Sequence, residues 1–426
     1  MFHLGAFTTF KPLDWAGPWG GETADTWADG NFHVDLVKAL ERARFDYVMY
    51  EDSSMVSDAY GGTTEADLKH ALYAPKHDPM MLMPLLAQAT SHIGLIATGS
   101  TTFYPPYMLA RTLVTLDHIS KGRTGWNIVT SSEDRAAQNY GLPALPAHDD
   151  RYARADEFVD VVSQLMGSWE PDALVLDREQ NILVDHEKVH TINFKGQWYS
   201  SRGPLNTLAP PGGRPVYCQA GSSPRGRDFA AKHADTILAS IHGVGEMKDY
   251  REDMHRRMQA IGRDPQSCKI LFVIMPVLGD TTAEATAKKA RSRRDVSAAL
   301  GSLSAITEID FSVFDLDSPL PQVATNGHAG YLSEFARLGA AQATLRELVD
   351  IWSISCLDLV GTPSEVAAKM AETMDEIGGD GFLVAGMGSR RYLTEIVDGL
   401  TPALQAMGAV RSEYGAPTLR ENLMAF

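Results

Sequence analysis

The chain has 426 residues, of which 44% are hydrophobic and 22% charged, and a formal net charge of −16 at pH 7. Those proportions belong to a soluble globular protein with a large core, and the length suits either several domains or one α/β barrel with insertions. The acidic balance excludes general binding to nucleic acid or anionic membranes, while a local basic pocket for a phosphate stays compatible with it.

Phe2 to Phe7 reads as the first strand, and no basic region or long apolar stretch of a secretory leader precedes it. A loop rich in Pro, Trp and Gly follows from Thr8 to Gly30, with Phe10, Trp15, Trp19 and Trp27 and a single cation, Lys11. Leu36, Val37, Leu40 and Ala43 then mark one helix face. Phe45 to Tyr50 is the second strand, ending at Glu51-Asp52, and a long loop leads to a helix around Met80 to Ser91. Ile93 to Ala97 is the third strand, ending in Thr98-Gly99-Ser100; after Pro105-Pro106 comes a helix carrying Leu109, Leu113 and Leu116. Trp126, Ile128 and Val129 form the fourth strand, bounded by Gly125 and by Thr130-Ser131-Ser132. A polar loop with Gly141, Pro143 and Pro146 precedes a helix in which Tyr152, Ala155, Phe158, Val159 and Val162 recur at helical spacing, with Asp149 or Asp150 as its N-cap.

The alternation pauses between about 170 and 214, where NILVDHEKVHTINFKGQWYS has strand-like character around a Lys195-Gly196 turn, so a β-hairpin insertion is expected. It resumes with strands at Val216 to Gln219, Thr236 to Ala239 and Ile270 to Val277. A second interruption, 301–342, holds Pro319, Pro321, Asn326, Gly327 and Gly330, and the helix near Pro363 with the strand Phe382 to Ala385 completes eight β/α units. Eight units favour a closed (β/α)8 TIM barrel over an open sheet, with residues 1–426 as a single domain. In 301–342, Ile306, Ile309, Phe311, Val313 and Phe314 could cover an apolar pocket, and Asn326-Gly327 offers a hinge. That segment is therefore expected to be a lid that carries His328 toward the barrel mouth.

Ligands of parallel barrels bind at the carboxyl ends of the strands, which places a polar site in the loop holding Asn127, Ser131, Ser132, His148 and Tyr152. Gly221-Ser222-Ser223-Pro224-Arg225-Gly226 follows a strand and opens a helix. Pro224 suits the first helical position and Ser222 or Ser223 the N-cap, leaving free N–H groups, hydroxyls and the nearby Arg225 as a phosphate cradle. A plain helix cap with a solvated Arg225 is the bland alternative. Glu51-Asp52 is a paired-carboxylate candidate, but adjacent strand residues face opposite ways, so only one should reach a given pocket. Asn127 could face the barrel mouth or satisfy buried backbone. His148-Asp149-Asp150-Arg151-Tyr152 has no second His at chelating spacing, and no metal site is expected. Cys218, Cys268 and Cys356 are far apart and odd in number, fitting reduced core thiols of a cytoplasmic protein. Gly386-Met387-Gly388-Ser389 lacks the third glycine of a dinucleotide loop, and nothing reads as a nicotinamide-binding domain.

WNIVTS, AAQNYG and HDDRY resemble the nitrilotriacetate monooxygenase component A and dibenzothiophene-sulfone monooxygenase family within the bacterial-luciferase-like flavin enzymes. KALERARFDYVMYED (38–52), FYPPYMLARTLVTLDHISKGR (103–123), KVHTINFKGQWYSSRGPLN (188–206) and QAGSSPRGRDFAAKHAD (219–235) carry the same resemblance in the same order. It implies a monooxygenase that takes reduced FMN from a separate NAD(P)H:flavin reductase and uses O2. It further implies Asp52, Thr98, His148, Tyr152, Ser222 and Ser223 as flavin ligands, with Asn127 and His328 as candidates for oxygen or substrate contacts. A homo-oligomer, dimer or tetramer, is expected, along with a small organic substrate whose C–N, C–S or ring-substituent bond is cleaved. With Lys11 as the one cation beside Phe10, Trp15 and Trp19, an apolar, aromatic substrate is favoured over a polycarboxylate. The rival readings are a deazaflavin-dependent oxidoreductase on the same barrel, a non-catalytic flavin-binding protein and a metal hydrolase.

Overall fold

Short apolar runs rich in β-branched and aromatic residues build the strands β1 (His3–Thr9), β2 (Tyr47–Glu51), β3 (Gly94–Ser100) and β4 (Thr124–Val129). The structure is a computed structural model, and it describes residues 1–17, 21–291, 295–338 and 343–426. Trp19 and positions 339–342 of the second interruption therefore lie outside the described residues. Two small hairpins follow, β5 (Leu174–Asp177) with β6 (Ile182–Val184) and β7 (Phe194–Lys195) with β8 (Ser200–Ser201). The remaining strands are β9 (Val216–Gln219), β10 (Thr236–Ala239), β11 (Lys269–Ile274), the short pair β12 (Val277–Leu278) and β13 (Val360–Gly361), and β14 (Gly381–Val384).

Eight of these close into a parallel barrel in the order β1-β14-β11-β10-β9-β4-β3-β2. Every residue of β3, β9, β11 and β14 is buried, as expected of parallel strands covered on both faces. Amphipathic helices such as Asn31–Arg42, with Leu36, Val37 and Leu40 inward, form the outer layer. Several strands run further toward their carboxyl ends than their apolar runs suggest. Thr9 pairs with Glu51 and Ser100 with Val129, so ladder bonds carry polar residues up to the barrel mouth. No helix among the described residues is long and apolar enough to cross a membrane.

The first insertion contains two hairpins rather than one; the Lys195-Gly196 turn belongs to the second, and the exposed Leu174–Asp177 strand was not anticipated. The helix expected at Asp149 or Asp150 starts at His148 with Ala147 at its N-cap position. Both aspartates sit in its first turn, where they complement the helix dipole instead of capping. A short helix, Asp134–Asn139, interrupts the polar loop before it. The second interruption, 301–342, is helical, with the end of Val296–Thr307 and with Ala329–Leu338, and it packs with the following helix Leu345–Ile351 around a separate core that includes Leu300, Phe311, Phe335 and Leu345. Phe311 is therefore spent inside this layer and Val313 is 71% exposed, so neither covers the pocket; Ile306 does reach it.

Candidate active site

A cavity of about 760 Å³ opens at the carboxyl ends of the barrel strands, beneath the helical insertion. Asp52, Thr98, Asn127, His148, Tyr152, Ser222, Ser223 and His328 all line it. Residues scattered from the second strand to the second insertion thus meet because successive strands deliver them to one end of the barrel.

Its floor is built from the mouth-facing residues of the strands, among them Thr8, Met49, Thr98, Asn127 and Gln219. Thr98 Oγ1 donates to Tyr50 O (2.7 Å) and accepts from Asn127 Nδ2 (2.8 Å). This fixes the Asn127 amide so that its Oδ1, buried on a residue only 4% exposed, has no hydrogen-bond partner among the described residues. Thr8 Oγ1 is likewise buried and unpartnered. Buried acceptors are rarely left this way in proteins, so the floor is prepared for donors from a ligand.

At one end two helix N-termini converge, that of His148–Met166 and that of Pro224–His233. Ser223 is the N-cap of the second helix, its Oγ accepting from Gly226 N at 3.1 Å, and the same hydroxyl lies 3.3 Å from His148 Nε2. Added Cβ atoms on Gly221 and Gly226 would each stand 2.8 Å from Tyr152 Oη, so the phenol packs against a backbone that only glycine leaves open. Arg225, read from the sequence as the basic member of this cradle, turns away: its Nη2 donates to Asp156 Oδ2 at 2.5 Å. The basic residue that lines the cavity here is Arg151, which is 2% exposed. Among the described residues its guanidinium hydrogen-bonds only to oxygens of Pro146 and Asn326, and its Nε has no partner. Dipoles, hydroxyls and a buried cation without a carboxylate make this end favourable for an anion.

Other parts of the lining are charged and aromatic. Glu51 and Asp52 both line the cavity, against the expectation from strand alternation; β2 ends at Glu51, so Asp52 lies beyond the pleat that would have turned it away. Lys76 Nζ donates to both Glu51 oxygens (3.0 and 2.8 Å) and to Ser53 Oγ (2.7 Å). Burial, reinforced by Glu51, pushes the Asp52 carboxyl up to about 7. Among the described residues the Glu133 carboxylate, on a residue 8% exposed, accepts only from Ser132 N and Ser132 Oγ, and burial raises its pKa. Lys11 donates to Ala71 O and Leu72 O, and burial, with Lys76 adding, lowers it to about 8. Of the first-loop aromatics, Phe10 packs in the core against Trp27 and Trp15 is 45% exposed; Phe103, Tyr104 and Tyr73 line the cavity in their place.

His328 joins from the second insertion. Its Nδ1 accepts from Tyr331 N at 3.2 Å, so the neutral ring carries its proton on Nε2. Burial, with His148 and Arg151 adding, pushes this imidazole down to about 4, so it is neutral at physiological pH. The three cysteines are free and buried, and burial raises each thiol. Among the described residues no group of His, Cys, Asp or Glu is arranged to hold a metal ion.

Sequence reasoning missed Arg151, Glu133 and Lys76. For Arg151 a signal was present: it stands at helical spacing with Ala155, Phe158 and Val162, the buried stripe of its helix. Lys76 meets Glu51 from a distant loop, and nothing local announces that.

A family described as luciferase-like monooxygenase matches residues 5–381. Dibenzothiophene-sulfone monooxygenase of Rhodococcus erythropolis (strain XP) is 33% identical over 99% of this chain and 96% of its own. Nitrilotriacetate monooxygenase component A of Aminobacter aminovorans is 34% identical over 93% of this chain and 90% of its own. Among solved structures, a riboflavin lyase crystallised with modified FMN and riboflavin superposes with a TM-score of 0.92 at 30% identity, covering 100% of this chain and 96% of that one. With the closed parallel barrel, the cavity at its mouth and this agreement along nearly the whole length, the chain belongs to the luciferase-like monooxygenase family.

Proposed function

We propose that this protein is the oxygenase of a two-component system, a single catalytic barrel spanning residues 1–426 that uses reduced FMN delivered by a separate NAD(P)H:flavin reductase. The observation that carries the reading is one cavity with an anion-favouring end, at Ser222, Ser223 and Arg151, and unpartnered buried acceptors on its floor, at Asn127 and Thr8. A flavin mononucleotide has a phosphate for the first and ring and ribityl donors for the second. Bound reduced flavin supplies the reaction with O2 that transfers one oxygen atom to substrate.

The protein's own residues bind, orient and exclude water. Ser222 and Ser223 hold the phosphate, His148 and Tyr152 the phosphate or ribityl chain, and Asp52, Thr98 and Asn127 the ring. His328, a neutral donor through Nε2, contacts substrate or the reacting oxygen under the insertion. Asp52 and Glu133 are wall carboxylates without an ion-pair partner among the described residues, so polycarboxylates would meet repulsion there. Phe103, Tyr104 and Tyr73 favour an apolar, aromatic organosulfur or organonitrogen compound, with C–N, C–S or ring-substituent cleavage. A homo-oligomer and a cytoplasmic location belong to the same proposal.

The isolated chain is expected not to oxidise NADH, but to consume O2 and form oxygenated product when reduced FMN and an aromatic sulfide or amine panel are supplied. NADH-driven turnover with contaminating reductase excluded would overturn the two-component reading. Product formation without O2 would move the enzyme to hydride-transfer chemistry of the deazaflavin kind. His328→Ala is expected to hold FMN affinity within about twofold while lowering product per reduced flavin and raising hydrogen peroxide, because water enters the site. Equal product and peroxide yields in the variant would return His328 to a packing role.

A further inference from the structure

Segment 325–331 of the second insertion lies directly on the anion-favouring end of the cavity. An added Cβ on Gly330 would stand 1.9 Å from Ser222 Oγ, and one on Gly327 would stand 2.7 Å from Ile306 O. The chain therefore passes Ser222 with no room for a side chain. Asn326, expected to be a hinge, instead carries four hydrogen bonds. Its Oδ1 accepts from His148 N (3.1 Å) and Arg151 Nη1 (3.4 Å), its carbonyl from Arg151 Nη2 (3.0 Å), and its Nδ2 donates to Pro146 O (3.4 Å). Arg151 also donates to Pro146 O at 2.7 Å. On the other side Thr325 Oγ1 donates to Thr307 O, and His328 N donates to Ile306 O at 2.9 Å. The segment is thus stitched to the helix Val296–Thr307 on one flank and, through Arg151, to the helix His148–Met166 on the other.

We propose that Arg151 is a positioning residue whose guanidinium latches Asn326 over the phosphate end of the cavity, so that retention of FMN depends on this latch. The proposal rests on the assignment of the phosphate to Ser222 and Ser223. A planar guanidinium serves it because two donors reach Asn326 and Pro146 at once, which a lysine ammonium on a flexible stem cannot reproduce. With no carboxylate among the described residues bonded to it, Arg151 keeps its charge available to the phosphate end, so the same group fastens the cover and favours what lies beneath it. Opening requires the contacts at Asn326 to break together, and flavin exchange follows that opening.

Arg151→Lys, Asn326→Ala and the double variant test this, with thermal melts confirming that each folds. Each single change is expected to speed FMN dissociation by about tenfold, as for loss of one or two hydrogen bonds to a charged group. The double variant should add no more than about twofold, because both changes remove one latch. Limited proteolysis of the ligand-free chain should show faster cleavage between residues 308 and 330 in all three. Additive effects, or dissociation and cleavage rates within about twofold of wild type, would overturn the latch. If Arg151→Lys does not fold, Asn326→Ala, whose side chain is exposed, decides the matter by the same two readouts. Equal affinity of the wild-type chain for FMN and riboflavin would sink the phosphate assignment instead, while proteolysis of the ligand-free variants still judges the latch.

Discussion

Replacing Ser222 and Ser223 together by alanine is expected to weaken FMN by at least about tenfold while leaving riboflavin nearly unchanged, since a hydrogen bond to a charged group is worth roughly 1.5–3 kcal/mol. The two hydroxyls stand at the N-terminus of Pro224–His233, where backbone N–H groups and the helix dipole already favour an anion. They are not equivalent. Ser223 Oγ also caps Gly226 N, so its loss costs about 1 kcal/mol of stability as well. Ser222 has no capping bond, so Ser222→Ala alone should lower FMN affinity without moving the melting temperature. Fluorescence titration with both flavins reads the result. Equal weakening for FMN and riboflavin would mean that the loop supports the fold and does not hold a phosphate.

Asp235→Asn is expected to destabilise the protein strongly, because Asp235 ties the helix Leu419–Leu423 to the amino-terminal end of the barrel. Its carboxylate accepts from Arg214 Nη1 (2.6 Å) and Nη2 (3.0 Å), from Arg420 Nη1 (3.0 Å) and Nη2 (2.9 Å), and from Tyr217 N (2.8 Å). Removing one partner of a buried ion pair costs about 3–5 kcal/mol. Arg214 and Arg420 are 33% and 30% exposed and can rehydrate, so the lower end of that range, about 3 kcal/mol, is the expectation. The pH dependence has a defined sign. Burial alone would raise the carboxyl, but Arg420 and Arg214 hold it below the ordinary range. Its contribution is therefore fully present above the unfolded value of about 3.9 and fades as pH falls toward the folded one. Urea melts should show a gap between wild type and variant that is wide at neutral pH and narrows below about pH 4. A gap that stays constant into acid would assign the effect to packing.

What could be read from the chain was set by local physics. Short apolar runs alternate with helical spacing eight times, and each run needs both faces covered, so the parallel barrel was legible before any contact was known. The Ser223-Pro224 helix start was legible for the same reason, since capping and proline preference act within four residues. Thr98, Asn127 and Asp52 could be placed near the mouth because strand ends in a barrel must be there. Partner choice was not local. Arg225 and Arg151 are both basic residues beside a helix start, and the sequence favoured Arg225. Only packing of Asp156 against one and of Asn326 against the other decided which stays at the cavity. Lys76 reaches Glu51, and Gly330 meets Ser222, across separations that no periodicity encodes. Burial then set the charges: Asp52 at about 7 and His328 at about 4 take those values from desolvation, a property of the folded surroundings and not of the residues themselves. The sequence by itself determined the barrel and the end at which its site lies, because backbone pairing and apolar spacing are local; tertiary structure alone decided which arginine lines the cavity and which distant segment packs against it.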